Sequence, residues 1–128
     1  MVSRKASPGD TLAPMSDCLF CKIVAKKIPA EILFENAEVL AFRDIRPAGP
    51  QHALVIPKVH VAGVRDVGAD GAAMLGRVMM TARDVAEQLR LGESGYRLVV
   101  NQGRDGGQSV FHLHCHVIGG RALAWPPG

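Results

Sequence analysis

The chain has 128 residues and a mass of 13.7 kDa, room for one ordinary domain. A composition of 48% hydrophobic and 21% charged residues excludes wholesale disorder, and a chain this long buries about two-thirds of its unfolded surface without a disulfide framework. The 15 Lys+Arg against 12 Asp+Glu leave a surplus of +3, small and scattered, which favours anionic ligands without marking a nucleic-acid binder, and no apolar run approaches the roughly 20 residues that cross a bilayer.

Residues 1–17 carry two basic residues, Pro8 and Pro14 but no apolar stretch, so they are expected to be a poorly ordered leader, or sequence upstream of an alternative start at Met15, rather than a secretory signal. Three cysteines, an odd number, argue against a secreted disulfide scaffold, and the expected address is the cytoplasm. From Cys18 the folded part begins. Leu19, Phe20, Ile23 and Val24 predict a short helix, capped by Ser16 or Asp17 and stopped by Pro29. Ile32, Phe34, Val39, Leu40 and Phe42 flank Glu35-Asn36-Ala37-Glu38 as a hairpin. After the loop Arg46–Pro50, a buried strand runs from His52 to Ile56 and closes at Pro57.

Over 70–91, Leu75, Val78, Met79, Ala82, Val85, Ala86 and Leu89 repeat at three- and four-residue steps, with Arg77, Arg83, Asp84, Glu87 and Arg90 between them. That predicts one amphipathic helix, ended by Gly92. A strand over 96–101, a glycine-rich loop over 103–109 and a last strand over 110–118 follow, then the rigid tail Trp125-Pro126-Pro127-Gly128. Without repeated βαβ alternation, the expected class is α+β: an antiparallel sheet with helices packed on one face.

The chemistry lies in Gly106–Val117. If 110–118 is a strand, His112, His114 and His116 share one face, and Phe111, Leu113, Cys115 and Val117 the other. Cys115 is then a core thiol. Three of five histidines within five residues are poorly explained by packing. Aligned imidazoles can bind a transition metal, or one can attack phosphorus while its neighbours orient it. Asp105-Gly106-Gly107-Gln108-Ser109 offers backbone N–H groups, an amide and a hydroxyl, which suit phosphate oxygens better than a metal.

The segment Gln108-Ser109-Val110-Phe111-His112-Leu113-His114-Cys115-His116-Val117 resembles the signature of the histidine triad (HIT) nucleotide-binding family. The resemblance extends to Phe20-Cys21-Lys22-Ile23, Ala41–Ile45, Leu54–His60 and Tyr96–Asn101, covering 18–128 as one HIT domain. Ser109, Gly119-Gly120-Arg121 and the Trp125 tail are similar to the HINT, or purine nucleoside phosphoramidase, branch; the diadenosine polyphosphate hydrolase branch tends to have Thr at the serine position and lacks this tail.

That resemblance implies a two-layer α+β HIT fold and a hydrolase of purine nucleoside 5′-phosphoramidates or aminoacyl-nucleotide mixed anhydrides. Diadenosine polyphosphate hydrolysis and a non-catalytic nucleotide-binding role are the alternatives. His114 would attack the α-phosphorus, His116 would donate to a non-bridging oxygen, His52 would steady the imidazole row with His112, and Ser109 and Gln108 would bond the leaving group or phosphate. Asp44 would take the ribose hydroxyls, Leu19, Phe20, Ile23, Phe42 and Ile45 the purine. Asn101 and the backbone of Gly107 would lie on the phosphate side.

No cofactor is expected for the chemistry. Cys18-x-x-Cys21 with His60 and His112 matches a structural Cys₂His₂ zinc set of some relatives. A symmetric homodimer through the long helix and a sheet edge is implied, with Trp125 reaching the partner's site. Arg43 stands where animal relatives carry histidine.

Overall fold

The computed structural model describes residues 17–128; the expected leader and Met15 lie outside the described residues, apart from Asp17. The elements in chain order are α1 (Leu19–Val24), β1 (Ile32–Glu35), β2 (Val39–Arg43), β3 (Gln51–Pro57), α2 (Ala72–Gln88), β4 (Tyr96–Val99) and β5 (Cys115–Gly119). Single 3₁₀ turns at Val64–Asp66 and Ala69–Gly71 lead into α2. No helix among the described residues is long and apolar enough to cross a membrane.

The strands form one antiparallel sheet in the order β1-β2-β3-β5-β4. Alternation of side chains along them builds two cores. Val39, Ala41, Ala53, Val55, Cys115 and Val117 meet Val78, Ala82, Val85 and Ala86 of α2. Leu40, Phe42, Leu54 and Ile56 point to the other face and meet Cys18, Phe20 and Ile23. The fold is the expected α+β arrangement, but its helices take opposite faces instead of sharing one. Apolar residues at both strand parities require this: β2 and β3 are buried on each side.

Three local expectations change. Cys18, not Ser16 or Asp17, caps α1, its Sγ accepting the Cys21 N–H at 3.3 Å. The long helix stops at Gln88 because Arg90 turns left-handed at φ 62° and Leu91 N–H bonds back to Ala86 O at 2.9 Å, ahead of Gly92. The last strand begins only at Cys115. Upstream, Leu113 N–H is drawn off the sheet to Val61 O at 2.6 Å, so strict alternation over 112–116 does not hold.

Leu40 is fully buried beneath the α1 face. Leu40→Ala is expected to lower unfolding stability by about 2–5 kcal/mol, read from the shift of the urea midpoint at unchanged slope.

Candidate active site

Between α1 and the sheet lies a cleft of about 340 Å³. Leu19, Phe20 and Ile23 supply one wall because the first turn of α1 turns that stripe toward the sheet, and Phe42 and Leu54 rise from β2 and β3 to meet it. Phe20 and Phe42 pack edge to face, 5.5 Å between centroids. Ile45 borders the mouth at 89% exposure. Apolar walls of this kind suit a flat ring system. Asp44, Arg46, Ser109, His114 and His116 add the polar groups.

Hydrogen bonds fix the proton on each imidazole. A carbonyl oxygen only accepts, so the 2.7 Å contact from His114 Nδ1 to His112 O places the proton on Nδ1 and leaves the Nε2 lone pair free. His52 is set in the opposite sense. Ala48 N–H donates to its Nδ1 at 2.9 Å. The proton of a neutral His52 therefore sits on Nε2, which donates to His116 Nδ1 at 2.8 Å. His116 in turn carries its proton on Nε2. The His114 and His116 rings lie 4.9 Å apart, one offering a lone pair and the other an N–H.

These rings are held neutral. Burial, followed by the neighbouring His114 and His52, pushes His116 down to about 4; burial also lowers His114 and His52, against an opposing pull from Asp44. Asp44 keeps its place through Arg46 N–H, 2.8 Å from Oδ1, while Oδ2 lies 3.5 Å from His52 Nε2.

His112 leaves the expected row. Its Nε2–H donates to Pro57 O at 2.8 Å, and its Nδ1 faces Cys18 Sγ at 3.4 Å and Cys21 Sγ at 3.5 Å. His60 Nδ1 reaches Cys21 Sγ at 3.3 Å. One ligand atom from each of Cys18, Cys21, His60 and His112 lies within 4.8 Å of the rest. Two thiols and two imidazoles are a zinc donor set, and the Pro57 carbonyl frees the required lone pair on His112. Burial and Cys18 push the Cys21 thiol up to about 11, so a cation entering here displaces thiol protons. Four protein ligands would fill a tetrahedral shell and leave no position for substrate.

Three residues expected at the phosphate side, Gln108, Gly107 and Asn101, are elsewhere. Gln108 is buried and its amide is consumed: Oε1 accepts Gly103 N–H at 2.8 Å and Nε2 donates to Ala62 O at 2.7 Å and Val110 O at 3.2 Å. Gly107 makes a turn at φ 81°, and its N–H is spent on Arg104 O at 3.0 Å. Asn101, beyond the end of β4, does not border the cleft, and Trp125 stands 80% exposed away from it. Arg43 touches the rim, but its guanidinium is held by Glu31 at 2.6 Å and Gln51 at 2.9 Å. Sequence reasoning missed Ile28, Pro29 and Ala30 as cleft wall; Pro29 was legible only as a helix stop. The backbone partners Ala48 and Pro57 carry no side-chain signal at all.

A five-stranded antiparallel sheet that sets tautomer-locked imidazoles beside an apolar cleft defines a histidine triad protein. The HIT domain model matches residues 25–123, and the chain belongs to that family. It is 47% identical over 125 residues to a protein of Arabidopsis thaliana named adenylylsulfatase HINT1, covering 96% of this chain and 81% of that one. The crystal structure of a HIT family hydrolase from Legionella pneumophila superposes with a TM-score of 0.86 at 49% identity, covering 88% of this chain and all of that one. A zinc-bound histidine triad family protein from Mycobacterium smegmatis gives 0.75 at 32% identity, covering 84% of this chain and 78% of the other.

Two outcomes follow from this geometry. Gln108→Ala leaves three part-buried backbone groups without their side-chain partner and is expected to reduce stability by about 1–3 kcal/mol, while adenosine monophosphate affinity, measured by calorimetry on the folded variant, stays close to wild type. Because folding holds His116 down at about 4 while the unfolded chain takes the proton near 6.5, stability is full above 6.5 and declines as pH falls toward 4. Thermal scans should show that decline, and His116→Gln should lessen it, the remainder coming from His52, His112 and His114, which burial lowers as well.

Proposed function

We propose that the protein is a hydrolase of purine nucleoside 5′-phosphoramidates and nucleotidyl mixed anhydrides that works through a covalent nucleotide on His114. The observation that carries this reading is the hydrogen bond from His114 Nδ1–H to His112 O at 2.7 Å, which makes a neutral imidazole with an exposed lone pair, the form needed to attack phosphorus. The purine lies against Phe20, Ile23 and Phe42, with Leu19 and Ile45 at the mouth, and Asp44 accepts the ribose hydroxyls.

His114 Nε2 forms a bond to the α-phosphorus as the P–N or P–O bond to the leaving group breaks, the bonding pair going to the leaving group, which takes a proton from solvent when it is an amine. His116 Nε2–H holds a non-bridging oxygen as charge builds there, and Ser109, which lines the cleft, bonds the leaving group. Water then cleaves the nucleotidyl-imidazole, releasing the nucleoside monophosphate and restoring neutral His114. The adenylylsulfatase name of the Arabidopsis relative supports mixed anhydrides of adenylate as substrates. Zinc, held by Cys18, Cys21, His60 and His112, supplies structure and no step of this reaction.

The chain acts in this reading as a homodimer. β4 ends the sheet with an unpaired edge, a feature that invites strand pairing, and Met79 and Met80 lie exposed on α2. Trp125, free of its own cleft, is placed by this reading at the partner's.

Turnover of a fluorogenic adenosine 5′-phosphoramidate should fall by on the order of a thousandfold or more in His114→Ala, with adenosine monophosphate binding retained. Turnover that survives the substitution would exclude His114 as the nucleophile. Faster cleavage of diadenosine tetraphosphate than of the phosphoramidate would move the substrate class.

A further inference from the structure

We propose that His112 is a positioning residue that ties the Cys18–Cys21–His60–His112 cluster to the nucleophile and to the wall of the cleft, so that a thiophilic divalent cation and a nucleotide bind cooperatively. The inference rests on reading His114 as the nucleophile and the cleft as the nucleotide site.

His112 works in two directions. Its ring is fully buried, clamped between Pro57 O at 2.8 Å and the two sulfur atoms at 3.4 and 3.5 Å. Its carbonyl, three bonds of backbone and side chain away, receives the His114 Nδ1 proton at 2.7 Å. In a close-packed interior a ring that shifts passes the movement to its own main chain. Movement of that carbonyl releases Nδ1–H, and the lone pair on Nε2 is no longer aimed into the cleft. A cation bridging the four ligands therefore holds the nucleophile's orientation through His112, without touching substrate.

A second connection runs through α1. Cys18 caps this helix by accepting Cys21 N–H. The residues that follow each thiol in the first turns, Leu19, Phe20 and Ile23, are the apolar wall. Phe20 packs in a T shape against both His112, 5.9 Å between centroids, and His114, at 5.1 Å. Fixing the two sulfur atoms thus fixes the wall, the nucleophile and the ring between them. A nucleotide that presses on the wall and on His114 orders the same atoms from the other side. Linkage requires the two effects to be equal.

The test uses the full chain, stripped with a chelator or saturated with zinc. Calorimetry gives the affinity for adenosine monophosphate in each state, and chelator competition gives the affinity for zinc with and without that nucleotide. Zinc is expected to tighten nucleotide binding by about 5-fold or more, and the nucleotide to tighten zinc by the same factor. The Nδ1–H resonance of His114 should be sharp in the zinc form and broadened in the stripped form. His60→Ala, which removes a ligand but no residue of the cleft, should abolish the difference between the two states.

Equal nucleotide affinity and an unchanged His114 resonance in both states of the wild-type chain would overturn the proposal, as would failure of the chain to take zinc. Those measurements need no variant. Coupling without phosphoramidate turnover would leave this inference standing and overturn the hydrolase reading; turnover without coupling would do the reverse.

Discussion

The short hydrogen bond from His114 Nδ1 to the carbonyl of His112 is the constraint around which the site is arranged. For that carbonyl to turn back onto the imidazole two residues on, the chain has to leave extended geometry just before β5. Leu113 N–H pairing with Val61 O and His112 Nε2–H pairing with Pro57 O hold it in that departure. The anchors are the last residue of β3 and the chain just after it, so the end of that strand and the placement of His114 are built together. The register Leu54↔His116 then fixes where the chain rejoins the sheet.

The two faces of the sheet divide the work. On the α2 face, small and branched side chains pack a continuous apolar core. On the α1 face, the packing is shallower and opens into the cleft. A six-residue helix is too short to be stable by itself; here it is secured by a sulfur cap, by Phe20 and Ile23 in the core, and by the thiol–imidazole cluster beneath it. The part of the molecule with least secondary structure thus carries the most chemistry, and its order comes from polar contacts to backbone.

Much of this was legible in the residues. The 3.6-residue repeat of Val78, Ala82, Val85 and Ala86 announced α2, and continuous apolar runs announced β2 and β3. The types of Cys18, Cys21, His60 and His112 announced a tetrahedral donor set, and the structure brings them together. The illegible parts share one cause: long-range partners decided between locally equal options. His-x-His-x-His reads as a strand until Val61 and Pro57 claim two of its residues. Gln108 carries an amide that suits a phosphate and a loop staple equally well, and the loop took it. Arg90 occupies the left-handed position where glycine two residues later was the better local choice.

One backbone donor has a consequence beyond orientation. Asp44, His52 and His116 bring a carboxylate and two ring nitrogens within 4.8 Å of one another, a set of ligand types resembling an iron or zinc facial triad. A metal on His52 Nε2 needs that nitrogen deprotonated, with the ring proton moved to Nδ1, and Ala48 N–H already points at Nδ1. Two donors would then face each other. At the other cluster, Pro57 O makes the opposite choice for His112 and leaves a nitrogen open. Main-chain N–H and C=O groups thus sort two similar histidine clusters: in one a ring nitrogen keeps its lone pair turned toward its neighbours, and in the other the corresponding nitrogen keeps the proton that a metal would have to displace.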